Sequence, residues 1–404
     1  MERRAFLAAA ASAGLAAMRP DRAWGLPLSR GGRAAAGPEW RPSGMLLRNL
    51  PRLLELASVP GVAIAVVEQG EISTHAVGRR SAEAGGPVNG DTLFEAASLG
   101  KPLVAYGALR LADKRLLDLD RPLYAYVRTA EADNPAMRSV TARHVLTQTT
   151  GLPNWRRSAG PLQPVSRPGT AFSYSGEGFF QLQRVIEKVT GVPFARWMQA
   201  EVLVPLGMKQ SCYAWRPAFD ARMAAGHDAQ GEPREMYAAI GRASEVIAER
   251  WKKPMLDWRT EDALRAVPLV NPQWPALPLY AMPNAACSFL TTTQDYARFL
   301  QRMVARAPAA GLELSEPLLE SMSRPAVKLN SALSWGTGWG IQRDEYGEVL
   351  WHWGANMSFR NFVIADRANG RAVAVLTNGE NGPRVYERVI AGITGHDHPS
   401  FLWI

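Results

Sequence analysis

The feature that most constrains this chain is the placement of its strand-like runs, which stand near the two ends and leave a long middle without one. Gly61-Val62-Ala63-Ile64-Ala65-Val66-Val67 is apolar throughout, as a strand buried on both faces is. Gln69-Gly70 turns it back into a partner strand over Ile72 to Val77. After Ala285 strand patterns return over Trp335 to Gln342, Val349 to Trp353, Phe359 to Ala365 and Arg371 to Thr377, with Asn369-Gly370 as the hairpin turn between the last two. Between Leu103 and about Met282 the chain carries helical patches broken by Pro and Gly. Helices are expected over Met45 to Leu56 and from about Pro383 to Ile393. These runs predict an α+β fold of sandwich type. One antiparallel sheet is built from both chain ends (about 45–97 and 285–395) and flanked by helices, with a mostly helical subdomain inserted at about 103–282. A cleft between sheet and insert is the expected ligand site.

The N-terminus reads Met1-Glu2-Arg3-Arg4-Ala5-Phe6-Leu7 and continues Ala-rich to Met18. A basic start and a short apolar run make a signal peptide, and the run falls short of the roughly 20 apolar residues of a membrane span. The Arg3-Arg4 pair resembles a twin-arginine signal, which exports proteins already folded. Ala23 and Ala34-Ala35-Ala36 both fit a cleavage site. Residues 1–34 are therefore expected to be a leader, and 35–404 one domain that begins with a Gly/Pro/Arg-rich linker. The protein is expected to be periplasmic or secreted, with no integral span once the leader is gone. The leader's six arginines and two acids account for +4 of the net charge of +9. What remains is spread thinly, with no dense basic block, so nucleic acid is not an expected partner. Cys212 and Cys287 form no disulfide framework and no zinc pattern. One disulfide or two buried free thiols both fit, and export after folding favours the thiols.

Glu95-Ala96-Ala97-Ser98-Leu99-Gly100-Lys101-Pro102 carries the Ser-x-x-Lys pattern of acyl-transfer enzymes. Val104, Ala108 and Leu111 follow at helical spacing. Pro102 has no N–H to give the Ser98 carbonyl, which places Ser98 at the very start of that helix. Residues three apart share a helix face, so the Lys101 amine can reach the Ser98 hydroxyl. The helix dipole and burial both disfavour an ammonium there, which suits a neutral base for a serine nucleophile. The tetrapeptide alone also fits a surface lysine with Ser98 as a plain N-cap. Rival chemistries lack their motifs: there is no Gly-x-Ser-x-Gly, no His-Glu-x-x-His, and Glu95 stands where a phosphate loop needs its first glycine.

The surrounding segments settle the choice by resemblance. Phe94 to Pro102 resembles the first motif of the class C β-lactamase-like serine hydrolases, a family that includes D-Ala-D-Ala carboxypeptidases, D-aminopeptidases and esterases. Leu146-Thr147-Gln148-Thr149-Thr150-Gly151-Leu152-Pro153 is similar to the family's Leu-x-His-x-Ser-Gly-Leu-Pro segment, with Gln148 and Thr150 replacing His and Ser. Phe172-Ser173-Tyr174-Ser175-Gly176 resembles the Tyr-x-Asn motif, Pro205-Leu206-Gly207-Met208 a structural segment, and Trp351-His352-Trp353-Gly354 the Lys-Thr-Gly or His-x-Gly motif. The resemblance covers about 45–395 and implies a β-lactamase/transpeptidase-like fold. It implies Tyr174 as the second catalytic base, returning its proton to the leaving group, a phenol that must be brought down from its usual pKa near 10 by a cation such as Lys101. It implies an oxyanion hole from the Ser98 and Ala355 N–H groups, and His352 on a strand facing Ser98. Gly354, Gly176 and Trp353 would line the substrate.

Three departures narrow the activity. Gly176 stands where the motif's Asn holds the substrate amide and orients the lysine. His352 and Trp353 replace the Lys and Thr that help to hold a β-lactam's carboxylate, a task for which a Trp has no means and a neutral His few. The expected activity is hydrolysis of small ester, amide or peptide substrates through an acyl-enzyme, with no metal or organic cofactor, and esterase or peptidase action before efficient β-lactamase action. A true β-lactamase, or a non-catalytic binding or sensor protein using the same cleft, is the alternative. Trp335, Trp339, Trp351 and Trp353 suit an aromatic wall or core packing equally. Cys287 could narrow the cleft or simply fill core, and His396-Asp397-His398 reads as a solvated tail before a metal site.

Overall fold

The computed structural model describes residues 39–403, apart from 84, 129–133, 157–160, 235, 275–276, 278–281 and 307–310. The expected leader lies outside the described residues.

The sheet has eight strands. They are β1 (Gly61–Glu68), β2 (Glu71–Gly78), β7 (Val327–Lys328), β8 (Leu333–Trp335), β9 (Gly340–Asp344), β10 (Gly347–Asn356), β11 (Phe359–Asp366) and β12 (Arg371–Thr377). Their order is β2-β1-β12-β11-β10-β9-β8-β7, antiparallel throughout. The two chain ends meet at β1 and β12, where Ile64 lies opposite Val375.

Burial on both faces explains the unbroken apolar runs. Val62, Ile64 and Val66 of β1 and Val373 and Val375 of β12 face a layer made by α1 (Gly44–Ala57) and α10 (Pro383–Thr394). Ser43 caps α1, Pro383 opens α10, and Gly395 closes it at φ 87°. The opposite residues, Ala63, Ala65, Ala372 and Ala374, are small and face the larger helical layer. There α8 (Thr293–Met303) lies across β1 and β12, and small side chains let it approach closely. Beside it runs α2 (Gly100–Asp113), buried at every residue from Gly100 to Leu109. A helix apolar on all sides has to be buried in this way.

The insert holds α3 (Ala142–Leu146), α4 (Gly176–Thr190), α5 (Phe194–Met198), α6 (Met236–Trp251) and α7 (Thr260–Val270), and α9 (Glu316–Ser321) precedes β7. Among the described residues no helix is long and apolar enough to cross a membrane.

Five short strands lie outside the runs read from the sequence, one of them the edge strand β7 (Val327–Lys328). Phe94–Ala97 (β3) and Phe289–Thr291 (β6) form a separate two-stranded ribbon. Gly226–His227 (β4) and Pro233–Arg234 (β5) pair inside the insert. At two to four residues, these are too short to leave a periodicity. Trp335 to Gln342, expected as one strand, is a hairpin. The chain leaves the sheet at Gly336, and Gly338 (φ 82°) packs on α2, where a Cβ would come 2.5 Å from that of Ala105.

Candidate active site

The turn that carries Ser98 is built by β3. A bulge between Glu95 and Ala97 breaks its register with β6, and Ala97 lies in the left-handed region at φ 52°. That conformation costs an L-residue roughly 1–2 kcal/mol, and bulges are a common means of re-aiming a side chain. The Leu99 N–H closes the turn on the Ala96 carbonyl at 3.0 Å. Helix α2 begins at Gly100, so Ser98 stands just before it, two residues earlier than the helix proper. The Ser98 carbonyl accepts from the Lys101 N–H at 2.9 Å, but its side chain caps nothing. The N-cap reading therefore fails.

Lys101 Nζ lies 2.9 Å from Ser98 Oγ. It also donates to the Ala286 carbonyl at 2.6 Å. The lysine is 1% exposed, and burial brings its pKa down to about 7. The amine is thus poised to be neutral and to accept the Ser98 proton.

The carbonyl that holds it belongs to a braced turn. The Ala285 N–H donates to Gln183 Oε1 and the Ala286 N–H to Asn284 Oδ1, each at 2.8 Å. Ser288 Oγ accepts from the Asn284 N–H and donates to the Tyr213 carbonyl. Cys287 sits in this turn, buried, with its thiol pushed up to about 12 by burial. It is a protonated packing group and not a second nucleophile.

Tyr174 precedes α4. Its ring lies 4.9 Å from Lys101 Nζ. Gln148 grips the chain on both sides of it: its carbonyl accepts from the Ser173 N–H at 2.7 Å and its Oε1 from the Ser175 N–H at 2.8 Å. Gln148 takes φ 55° to do so. The expectation that Lys101 lowers the phenol's pKa is overturned. Burial raises it above its usual value, the nearby Ser98 hydroxyl only partly opposes this, and Tyr174 Oη completes no hydrogen bond. Tyr174 is a neutral phenol, a proton donor.

Gly176 opens α4, and its place is explained by Trp155. A Cβ on Gly176 would come 2.5 Å from Trp155 Cζ2. The indole is anchored by its neighbours. Asn154 accepts from the Gly176 and Glu177 N–H groups, and Arg156 pairs in a bidentate manner with buried Glu177 at 2.8 Å. An aromatic wall thus fills the space a side chain at 176 would need.

Strand β10 supplies the other side. Gly354 is required there, since a Cβ would meet the Ala96 carbonyl at 2.1 Å. This close approach packs β10 at Gly354 against the Ala96–Ser98 turn, with Ala355 next along the strand. His352 is wholly buried, near Tyr174 and Trp335, with ring centroids 6.5 and 5.4 Å away. Its Nδ1 lies 2.7 Å from the Trp353 carbonyl. A carbonyl only accepts, so Nδ1 carries the proton. Burial, and then the Lys101 charge, push the imidazole down to about 3. It is neutral, and Nε2 is a bare lone pair without a partner. The side chain at this position offers an acceptor and no cation. Trp353 is half-buried and lies against Tyr174 at 4.7 Å.

Four positions that sequence reasoning passed over or saw only as substitutions therefore shape the site: Gln148, Trp155, Gln183 and the Ala286 carbonyl. Only Gln148 left a signal, as the replacement for the family's His. Trp335, Trp339 and Trp351 are buried core. His398 is buried too, with Nδ1 near Gln342 Nε2 and Nε2 near Thr394 Oγ1, so the solvated-tail reading is wrong there. Both cysteines are buried free thiols. Among the described residues no three His, Cys, Asp or Glu side chains gather as a metal site.

Comparison with known proteins agrees with this geometry. The Beta-lactamase family model matches residues 48–393. Esterase EstB of Burkholderia gladioli is 34% identical over 46% of this chain and 55% of its own length. A penicillin-binding protein 4 of Amycolatopsis lactamdurans is 25% identical over 80% of this chain and 81% of its own. The match spans about half the length of the first two curated relatives, 55% and 43%. A solved D-alanine carboxypeptidase of Burkholderia cenocepacia has the same fold, with TM-score 0.66 and 20% identity over 86% of this chain and 97% of that one. A penicillin-binding protein homologue from Pyrococcus abyssi gives 0.67 and 21% over 88% and 78%. With its model matched over most of the sequence and its fold shared, the chain belongs to the beta-lactamase family of serine hydrolases.

Proposed function

We propose that this chain is an exported serine hydrolase that cleaves small neutral esters through an acyl-enzyme on Ser98. The observation that carries the reading is the 2.9 Å contact between Ser98 Oγ and a buried Lys101 whose pKa is near 7. Lys101 Nζ takes the hydroxyl proton as Oγ bonds to the substrate carbonyl carbon. The Ser98 and Ala355 N–H groups hold the oxyanion. As the tetrahedral adduct collapses, Tyr174 Oη protonates the departing alkoxide and Lys101, now protonated, resupplies the phenol. Water then attacks the acyl carbonyl, gives its proton back through the same two groups, and frees Ser98.

The substrate class follows from what the cleft offers. With His352 neutral and accepting, no cation stands at that position to hold a carboxylate. Trp155 occupies the space beside Gly176 and presents hydrocarbon where an amide would need a polar partner. Both features favour uncharged acyl groups, and the relative EstB is named as an esterase. Amide and peptide hydrolysis are slower side activities. The chemistry draws on no metal or organic cofactor and no nucleic-acid partner. Residues 1–34 are the export leader of the domain at 35–404.

The test is a paired assay. Hydrolysis of p-nitrophenyl acetate and butyrate that vanishes in Ser98→Ala, with nitrocefin turned over at least about 100-fold less efficiently, supports an esterase. Rapid nitrocefin turnover would make the chain a β-lactamase, and no Ser98-dependent turnover would make it a binding protein.

A further inference from the structure

The buried carboxyl of Glu95 takes no part in the proton transfers of Ser98, Lys101 and Tyr174, yet it lies three residues before the nucleophile and is 1% exposed. A hydrocarbon side chain would be less costly there. The carboxyl is instead an acceptor for one particular partner, Asn356, at the end of β10.

A primary amide has two N–H groups, and Asn356 uses both. One goes to Glu95 Oε1. The other goes to the Cys287 carbonyl at 3.0 Å. Glu95 belongs to β3, which delivers Ser98. Cys287 follows Ala286, whose carbonyl holds Lys101 Nζ. A single side-chain amide therefore bridges the segment that carries the nucleophile and the segment that holds the base. Asn361 adds a second tie, donating to the Glu95 carbonyl at 3.0 Å and to the Gly354 carbonyl at 3.3 Å.

We propose that Asn356, oriented by Glu95, is a positioning residue that clamps β3 to the Asn284–Ser288 turn and so sets the Ser98–Lys101 distance. Burial pushes the Glu95 carboxyl up to about 8, so at neutral pH it is mostly protonated and accepts from Asn356 without a buried negative charge. The titratable groups near Lys101 are Cys287 from the turn, Tyr174 from the segment before α4 and His352 from β10. Glu95 acts electrostatically on Cys287 and is itself influenced by Arg360 of β11.

The inference rests on the hydrolase reading, so the experiment separates the two. Active sites are counted with a fluorophosphonate, and p-nitrophenyl acetate hydrolysis is measured per labelled site across pH. Asn356→Ala is expected to lower kcat by about 10- to 100-fold, because small misplacements of reacting groups are that costly. KM should stay within about threefold. The acid limb should move to higher pH as the loosened pocket admits water to Lys101. Glu95→Ala should behave in the same way, Glu95→Gln should rescue most of the loss by restoring the acceptor, and the double Ala variant should be no worse than either single one. Competitive acetylation of Lys101, read by mass spectrometry, reports its pKa without needing turnover. An Asn356→Ala protein with unchanged kcat per labelled site and an unmoved acid limb overturns the clamp. So does an unmoved Lys101 acetylation profile in a protein that never turned over. Absence of any Ser98-dependent turnover in the wild type removes the hydrolase reading alone.

Discussion

Lys101 Nζ donates to the Ala286 carbonyl at 2.6 Å, so the amine is held by backbone from 185 residues further along the chain. It also hydrogen-bonds Ser98 Oγ, and burial keeps its pKa near 7. Below that value the amine is an ammonium and no base; above it the lone pair is free. The kcat/KM of ester hydrolysis should therefore rise with pH through about 7 to a plateau. Lys101→Arg, always charged, should lose roughly 10²- to 10⁴-fold. A pH–rate profile of each protein checks this.

The same burial has a cost in stability. The folded pKa of Lys101 is about 7 against 10.5 for the free group, so between those values the unfolded chain binds more protons. The stability attributable to Lys101 therefore rises with pH across that window. Lys101→Met should melt above the wild type at pH 6, with the gap narrowing toward pH 10, as measured by thermal unfolding.

His352 is neutral well below pH 5 and carries its proton on Nδ1. The acid limb of the profile should therefore not belong to it. His352→Asn should keep an inflection near 7 while changing the plateau. An inflection that disappears with this substitution would transfer the base role to His352.

Gln148 Oε1 receives the Ser175 N–H beside Tyr174. Gln148→Ala leaves that buried donor unpaired, an expected loss of about 1–3 kcal/mol in urea unfolding. Because Tyr174 is also loosened, kcat should fall as well. A loss of stability without a loss of kcat would show that Tyr174 needs no such grip.

Gly176→Asn meets the Trp155 ring and should destabilise by about 1–3 kcal/mol through overpacking. Trp155→Ala in the same chain should recover most of that loss, and its hydrolysis should shift away from longer apolar acyl chains.

The sheet was legible because β1, β10, β11 and β12 are long enough to carry apolar runs, and Asn369-Gly370 marks its own turn. The ribbon of β3 and β6 was not, because strands of three and four residues with a bulge have no period to read. Ser98 and Lys101 were legible as a spacing. The atoms that make the spacing effective were not, because a backbone carbonyl at Ala286 has no side-chain signature. The expectation for Tyr174 counted a neighbouring cation but not the burial, which acts on both groups, lowering Lys101 to about 7 and raising the phenol. Gly176 looked like a lost contact, and its reason lay in Trp155, a residue no motif contains.

The central claim is that Ser98 becomes acylated because Lys101 activates it. Intact-mass spectrometry after fluorophosphonate treatment tests this directly, with peptide mapping of the adduct. One adduct per chain is expected on Ser98, none in Ser98→Ala, and far slower labelling in Lys101→Met. An adduct that persists in Ser98→Ala, or a folded wild type that takes no label, would contradict it.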